Sequence, residues 1–229
     1  TASEGHGGVA GVGGTSVDNR INTTTIAMVK DNTEITTDRI HVGTDNSVIT
    51  GAYDGTDAKG NKDVQTYTLK DYFGGVISGN RLRSLIDLTE KGTVTIGKDA
   101  KITTNKLQEY VASSQNNLTN LVQAKGGGVV AVTDAVSDLD IDVSNKVNVE
   151  QGATLSNEKM ASTEDIILAA YDDQTIKSQV DGTVYAGVIS PIVAKNNIDM
   201  NRKSEVSVAG NIASSANVGL FAGANKSGV

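Results

Sequence analysis

The chain has 229 residues, a formal charge of −7 and no cysteine, which allows one or two domains and excludes disulfides and thiolate metal sites. The negative charge and the lack of clustered Lys and Arg disfavour binding to nucleic acid. Because no apolar run approaches the roughly 18 residues of a membrane span, we expect membrane contact only through an anchor or secretion domain outside this sequence.

The apolar residues make up 38% of the chain and are mostly aliphatic, since there are six tyrosines, two phenylalanines and no tryptophan. Val and Ile, mixed with Thr, Asn, Asp, Ser and Gly, favour strands broken by tight turns over long helices. The single proline, Pro191, argues against a proline-rich linker. The composition therefore predicts an all-β protein.

A loose internal repeat divides the chain into similar units. Glycine-led openings recur at long and unequal intervals, at Gly8, Gly75, Gly128 and Gly187. In the last three units a valine follows the glycine and a second valine recurs at one constant separation, giving the pairs Val76 and Val94, Val129 and Val147, and Val188 and Val206. The first copy keeps this separation from Gly8 to Ile26, one position out of register. A long, uneven period with insertions is typical of a solenoid.

Each unit closes on two short strands around a corner. Residues 94–102 and 147–155 share one pattern, and residues 26–35 and 40–48 are looser versions of it. Their alternation places apolar side chains on one face. Gly, Asp and Asn between the strands supply the left-handed backbone that a corner needs.

These features predict a parallel β-helix with loop insertions, spanning residues 1–229 as one segment of a larger protein. If a circuit takes about 20 residues, each valine pair spans one circuit and each unit contains two or three. Around ten rungs, about 4.8 Å apart, would form a rod of about 50 Å with Val, Ile and Leu ladders inside. Only the two end edges of such a coil stay open, towards neighbouring rungs of the parent chain.

Two stretches depart from this pattern. Residues 51–73 are polar and rich in turn residues before they become aromatic, which predicts an inserted loop or hairpin. The apolar spacing in residues 105–124 is compatible with one helical face, but a strand with Asn116, Asn117 and Asn120 at corners fits a solenoid better.

The glycine-rich openings are followed by VDNRIN (17–22), LDIDVSNKV (139–147) and NNIDMN (196–201). These segments resemble the passenger repeats of large leukotoxin-like secreted adhesins, relatives of filamentous haemagglutinin, over most of the chain except residues 51–73. The resemblance implies a right-handed parallel β-helix exported across the outer membrane of a Gram-negative bacterium by autotransporter or two-partner secretion. It implies a virulence-associated fibre at the cell surface and no catalytic residues.

Three alternating carboxylates suggest one metal site. Asp138, Asp140 and Asp142 share a strand face at roughly 6.8 Å intervals. Calcium prefers several oxygen ligands of this type, and it is the only cofactor that the sequence suggests. The alternative is a solvated outer face, which strand alternation predicts without any ligand.

A cluster of aromatic and arginine side chains suggests a binding site. Tyr67, Tyr72, Phe73, Arg81 and Arg83 are residue types that make good anchors in interfaces. A loop on a rigid scaffold is a common place for recognition, so residues 51–83 are a candidate contact for a host-cell or bacterial surface protein or a glycan. The alternative is that the aromatic residues fill the gap where the insertion leaves the coil.

Catalysis has little support. His6 and His41, the only histidines, are expected at the surface, and the common nucleophile, phosphate and zinc motifs are absent. Asp172 and Asp173 suggest a polysaccharide-degrading enzyme, but adjacent aspartates on a strand face opposite sides. We therefore favour a noncatalytic shaft that extends and presents binding sites.

Overall fold

The computed structural model is all-β and describes residues 2–50, 69–157, 164–185 and 188–223, excepting the side chains of 2–8 and 71. Its strands are β1 (Ala2–Val29), β2 (Glu34–Thr37), β3 (Ile40–Thr50), β4 (Leu69–Ile96), β5 (Lys101–Thr104), β6 (Gln108–Gly127), β7 (Val130–Val149), β8 (Thr154–Ser156), β9 (Ile166–Tyr185), β10 (Ile192–Val208), β11 (Asn211–Ala213) and β12 (Val218–Gly223). These described ranges contain no helix, as the composition predicts.

The strands repeat in groups of three, and every pairing between groups is parallel. We call β1, β4, β7 and β10, which pair in that order, the outgoing wall. The corner sheet is β2, β5, β8 and β11, and the returning wall is β3, β6, β9 and β12. The chain therefore passes through an outgoing strand, a corner strand and a returning strand, and then begins the next circuit on top of the last.

The two walls belong to one nearly closed sheet. Its continuity comes from β4 and β6, because Leu69 to Gly74 pair with Val122 to Gly127. The start of β4 thus continues the returning wall of the circuit before it. In this solenoid-like arrangement, the four-stranded corner sheet closes the opposite end.

Residues that recur in the sequence repeat pair with one another in successive circuits, but the predicted circuit size is wrong. Val94 pairs with Val147, which pairs with Val206, so one whole unit between successive glycine-led openings is one circuit. Val76 and Val94 lie along the single strand β4 rather than one circuit apart. Ala27, not Ile26, pairs with Val94, which explains the shifted first copy.

The stack consequently has four circuits in the described residues instead of around ten rungs. Three intervals of about 4.8 Å give a height of about 14 Å, far below that of the predicted rod. The outgoing strands are long, with 17 to 28 residues each. The molecule is therefore a wide and short coil.

The corners form where the sequence predicts them. Asn32, Asp99 and Gly152 have positive φ angles of 55°, 56° and 78° at the turn between the outgoing wall and the corner sheet. Asn32 N donates to Lys98 O at 2.8 Å, which ties successive turns together. Residues 40–48 are not another copy of this corner, because they form β3 in the returning wall.

The two irregular stretches have different outcomes. Residues 105–124 contribute to the strand β6, as favoured, but Asn116 and Asn120 are buried within it rather than at corners. Of the predicted insertion 51–73, residues 51–68 lie outside the described residues and residues 69–73 begin β4. Thr50 pairs with Leu118 and Leu69 with Val122, so residues 51–68 of the first circuit correspond to the much shorter segment 119–121 of the second.

The interior is banded, with three apolar clusters separated by two polar layers. The largest cluster lies at the corner and includes Ile96, Ile102, Tyr110, Leu155 and Leu168. The central cluster contains Ile86, Leu88, Leu118, Leu139, Ile141 and Val143, and the third contains Leu69, Leu82, Val122, Ala124 and Ala135. Between them lie the first polar layer (Glu90, Ser114, Asn116, Asn145, Asp172) and the second polar layer (Ser84, Asn120, Ser137, Ser178).

Candidate functional site

A groove of about 340 Å³ lies on the outer face of the returning wall. Its middle row consists of Gly43, Val111 and Ala169, which pair at one register across β3, β6 and β9. A Cβ atom at Gly43 would come within 2.8 Å of His41 Nε2, so the imidazole lies close over this glycine. This middle row, which contains no polar side chain, lies between two flanking rows that carry polar side chains.

The flanking rows carry hydrogen-bonded polar side chains. In one row His41 Nδ1 lies 2.9 Å from Glu109 Oε2. In the other, the Ser113 hydroxyl lies 3.1 Å from both Asp45 Oδ1 and the Thr44 carbonyl oxygen. These bonds join neighbouring circuits, so the stacked strands hold the side chains in place.

Tyr171 completes the second flanking row and adds an aromatic surface. A groove with hydroxyl, imidazole, carboxylate and aromatic groups suits a polyhydroxylated ligand, because a ligand site orients its ligand through a few polar groups at fixed positions. Among these groups, His41 is hydrogen-bonded to Glu109 and Ser113 to Asp45.

The first polar layer holds two buried carboxylates inside the coil. Glu90 is 1% exposed and accepts a hydrogen bond from Asn116 Nδ2 at 2.6 Å. Asp172 is 2% exposed and is paired with Arg202, whose Nη2 also donates to the Asp172 carbonyl oxygen at 3.0 Å. The layer connects the two walls and pins their relative position.

Glu90 is the less satisfied of these two acids. Its Oε1 atom has no hydrogen-bond partner among the described residues. Burial raises the pKa of Glu90 above its usual value, the nearby charge of Asp172 raises it further, and the hydrogen bonds from Asn116 and Ser114 only partly offset this. The carboxyl group is enclosed between the walls, so we assign it a structural role.

The predicted metal-site aspartates lie on the outer face of β7, alternating with buried Leu139, Ile141 and Val143 as expected. Asp138 accepts hydrogen bonds from Arg83 at 2.8 Å and from Asn197 at 2.7 Å. Burial alone would raise the pKa of Asp138, but the bonds from Asn197 and Arg83 and the charges of Arg83 and Lys195 lower it overall.

The other two aspartates differ in their surroundings. Asp142 accepts a bond from Asn201 at 3.3 Å, and Asp140 stacks between Asp87 and Asp199. Within the described ranges, no three acidic or histidine side chains come close enough to hold a metal ion. Calcium binding at Asp138, Asp140 and Asp142 stays a prediction.

The predicted binding residues are separated by the fold. Tyr67 lies outside the described residues. Phe73 is 2% exposed and packs over Gly13, so it belongs to the core. Tyr72 is 47% exposed on the outer face, so among the described binding residues it is the aromatic side chain at the surface.

The arginines of that set lie further along β4. Arg81 is ion-paired with Asp134 at 3.4 Å and Arg83 with Asp138 at 2.8 Å. Arg83 and Asp138 belong to different predicted sites, yet they meet because β4 and β7 are neighbours. Binding by Tyr72, Arg81 and Arg83 stays a prediction.

The groove is not predicted by the sequence. His41 is exposed, as predicted, but its partner Glu109 lies far away in the sequence, on the next circuit. The available signal was an apolar residue or glycine between polar residues in three alternating segments, at Gly43, Val111 and Ala169. These segments can be aligned only when the length of one circuit is known, and the predicted circuit is too short.

No protein-family model, curated protein or solved structure matches this sequence. In the described part of the chain, no helix is long and apolar enough to cross a lipid bilayer. The resemblance to filamentous adhesins therefore stays a prediction, and function rests on the fold and the groove.

Proposed function

We propose that this chain is a noncatalytic shaft segment of a secreted bacterial surface adhesin, which extends from the cell and presents binding sites. The observation that carries the proposal is the in-register stacking of four circuits with continuous aliphatic ladders. Backbone hydrogen bonds between successive circuits make such a coil stiff, and its charged outer face keeps it in solution. Secretion to the outer surface of a Gram-negative cell is the setting that fits this role.

The coil is proposed to be right-handed. Each outgoing strand is followed by a crossover, through the corner and the returning wall, to a parallel neighbour in the same sheet. Connections of this kind are right-handed in about 98% of cases, because of the twist of the strands. Circular dichroism cannot decide the hand, so a crystal structure or a high-resolution cryo-EM map is the direct check.

A tandem duplication of residues 69–121 tests the shaft proposal. Leu69 and Val122 occupy equivalent positions in consecutive circuits, so a second copy of this segment enters the stack in register. We expect a cooperatively folded protein that is taller by one interval of about 4.8 Å. Displayed between a surface anchor and an epitope tag, the longer form should present the tag at least as well; loss of folding or of presentation would contradict a shaft.

The groove supports a second candidate function, glycan binding. We infer that Tyr171 and Asp45 would contact the sugar, since they are placed at the same register on β9 and β3 of the groove. Tyr171→Ala and Asp45→Ala should each weaken binding on a glycan array, while Gln115→Ala on the same outer face should not. Equal binding by all three variants, or no binding by the wild type, would remove this candidate.

A further inference from the structure

The groove on the returning wall is lined by more acidic than basic side chains. Its carboxylates are those of Asp45 and Glu109, and its one basic group is the imidazole of His41. Among the described residues that line the groove, none is a lysine or an arginine. A ligand that enters the groove therefore meets an excess of negative charge.

The cationic side chains that flank the groove along the chain have acidic partners of their own. Arg39 precedes β3 and is ion-paired with Glu164 at 2.5 Å. Lys106 precedes β6 and lies 3.9 Å from Asp38. Further along β9, Asp173 adds another carboxylate to the outer face. The surroundings of the groove thus do not offset its acidic lining.

Each of the two lining carboxylates keeps one oxygen atom for a ligand. Glu109 uses Oε2 for its contact with His41 Nδ1 at 2.9 Å, and Asp45 uses Oδ1 to accept the Ser113 hydroxyl at 3.1 Å. These bonds hold the carboxylates in place and leave Glu109 Oε1 and Asp45 Oδ2 to accept from a donor in the groove. The Glu109 side chain is 34% exposed, so a ligand can reach it. A carboxylate bonds an ammonium group about twice as strongly as a neutral donor.

The shape of the groove favours a short ligand with an apolar face and polar edges. Its volume of about 340 Å³ is at the small end of the range for ligand sites. The flanking rows lie four residues apart along each strand, which is roughly 13 Å. The middle row of Gly43, Val111 and Ala169 can meet the C–H face of a sugar ring, while its hydroxyl and amino groups point to the flanking rows. Tyr171 adds an aromatic surface for the same ring.

We propose that the groove binds an amino sugar whose amino group is free and protonated, as in a short glucosamine oligosaccharide. Ammonium groups of the ligand pair with Asp45 Oδ2 or Glu109 Oε1, and the ring lies over the middle row. An N-acetylated sugar has the same ring but no charge, so it gains less from the carboxylates. This inference rests on glycan binding by the groove and goes further by naming the charge of the sugar.

Isothermal titration calorimetry of the full chain with a glucosamine tetramer and with the matched N-acetylglucosamine tetramer tests the proposal. A chelator is present so that no metal ion bridges the contact, and the pH is slightly acidic so that the amino groups are protonated. We expect the free-amine tetramer to bind roughly tenfold more tightly at low salt, and this preference to shrink at high salt. Equal or tighter binding of the acetylated tetramer would overturn this inference but leave glycan binding in place. Binding of neither tetramer would remove both.

Two substitutions that remove charge locate the preference. Asp45→Asn and Glu109→Gln should each lower the affinity for the glucosamine tetramer several-fold. Asp18→Asn is the matched control, because Asp18 also accepts a serine hydroxyl, that of Ser16 at 3.1 Å, but lies on the outer face of β1 in the other wall. Thermal unfolding checks that every variant remains folded. An equal loss in the control, or no loss in either groove variant, would show that the tetramer binds elsewhere and would overturn the assignment.

A capped lysine tetramer separates a sugar site from a general site for cations, since it carries the same charges on side chains without rings. We expect it to bind roughly tenfold more weakly than the glucosamine tetramer, and equal affinity would overturn the sugar class. Tyr171→Ala should narrow this difference, because its ring contacts the sugar rather than the charge. An unchanged difference in this variant would show that the sugar ring is not held in the groove.

Discussion

At the scale of single residues, the buried carboxyl of Glu90 should make stability depend on pH. Its pKa is raised in the folded state, mainly by burial, so the folded protein binds the proton more tightly than the unfolded chain. This contribution is present below the usual glutamate pKa and is lost as the pH rises through the higher folded value. The wild type should therefore be less stable at pH 7 than near pH 4 on account of this group.

Glu90→Gln should remove that dependence, since glutamine keeps an acceptor for Asn116 and carries no charge. We expect the variant to gain about 1 kcal/mol at pH 7 and little at pH 4, measured by urea unfolding. Glu34→Gln on the exposed strand β2 is the control and should leave the profile unchanged. A gain of equal size at both pH values would show that ionisation of Glu90 is not the cause.

The second polar layer predicts a different single-residue effect. Asn120 is fully buried; it accepts a hydrogen bond from Ser84 at 2.6 Å and donates one to Ser137 at 2.7 Å. Asn120→Ala removes the partner that both serines share and should cost about 1–3 kcal/mol of unfolding free energy. Asn117→Ala, on the outer face of the same strand, should cost much less; equal losses would argue against the layer.

At the scale of elements, the stacked corner turn limits which residues it accepts. Gly152 has a φ of 78°, and a Cβ there would lie 1.9 Å from Asp99 Oδ1. Gly152→Ala should therefore destabilise the protein by about 1–3 kcal/mol, as followed by thermal unfolding. Asp99 has a φ of 56°, so Asp99→Gly should leave the stability unchanged or raise it slightly. If Asp99→Gly were the more destabilising of the two variants, this account of the turn would be contradicted.

At the scale of the whole molecule, the length difference between the first two circuits can be tested by deletion. Residues 119–121 join Leu118 to Val122, so replacing residues 51–68 with Thr-Asn-Leu should preserve the coil. The shorter connection should raise the unfolding free energy by about 1–2 kcal/mol, because closing a short loop loses less entropy. Unfolding in urea measures this, and loss of cooperative folding would show that the coil depends on the removed residues.

The same deletion separates the shaft from the predicted binding excursion. Tyr67 is removed, whereas Tyr72 and Phe73 are kept because they lie in β4. Unchanged adhesion by the folded deletion variant would favour a shaft, or binding elsewhere. Loss of adhesion with intact folding would favour recognition through the removed residues.

The alternation and the corner turns could be read from the sequence because they depend on neighbours in the chain. Period-two patterns place Leu139 and Ile141 on the opposite face from Asp138 and Asp140, whatever lies across from them. The positive φ at Gly152 is likewise a local requirement. Even the register of the stack was visible, since equivalent residues such as Val94 and Val147 must match to form a ladder.

Only the tertiary structure decided how long a circuit is and which strands face each other. Short strands with turns and long alternating strands are both compatible with the spacing of the valine pairs, so the circuit size follows from where the walls bend and pack. The bonded pairs Arg83 with Asp138 and His41 with Glu109 each join residues on different circuits. The groove and the banded interior arise from such distant contacts, because a side chain's chemistry is encoded locally but its partner is set by the stacking of the coil.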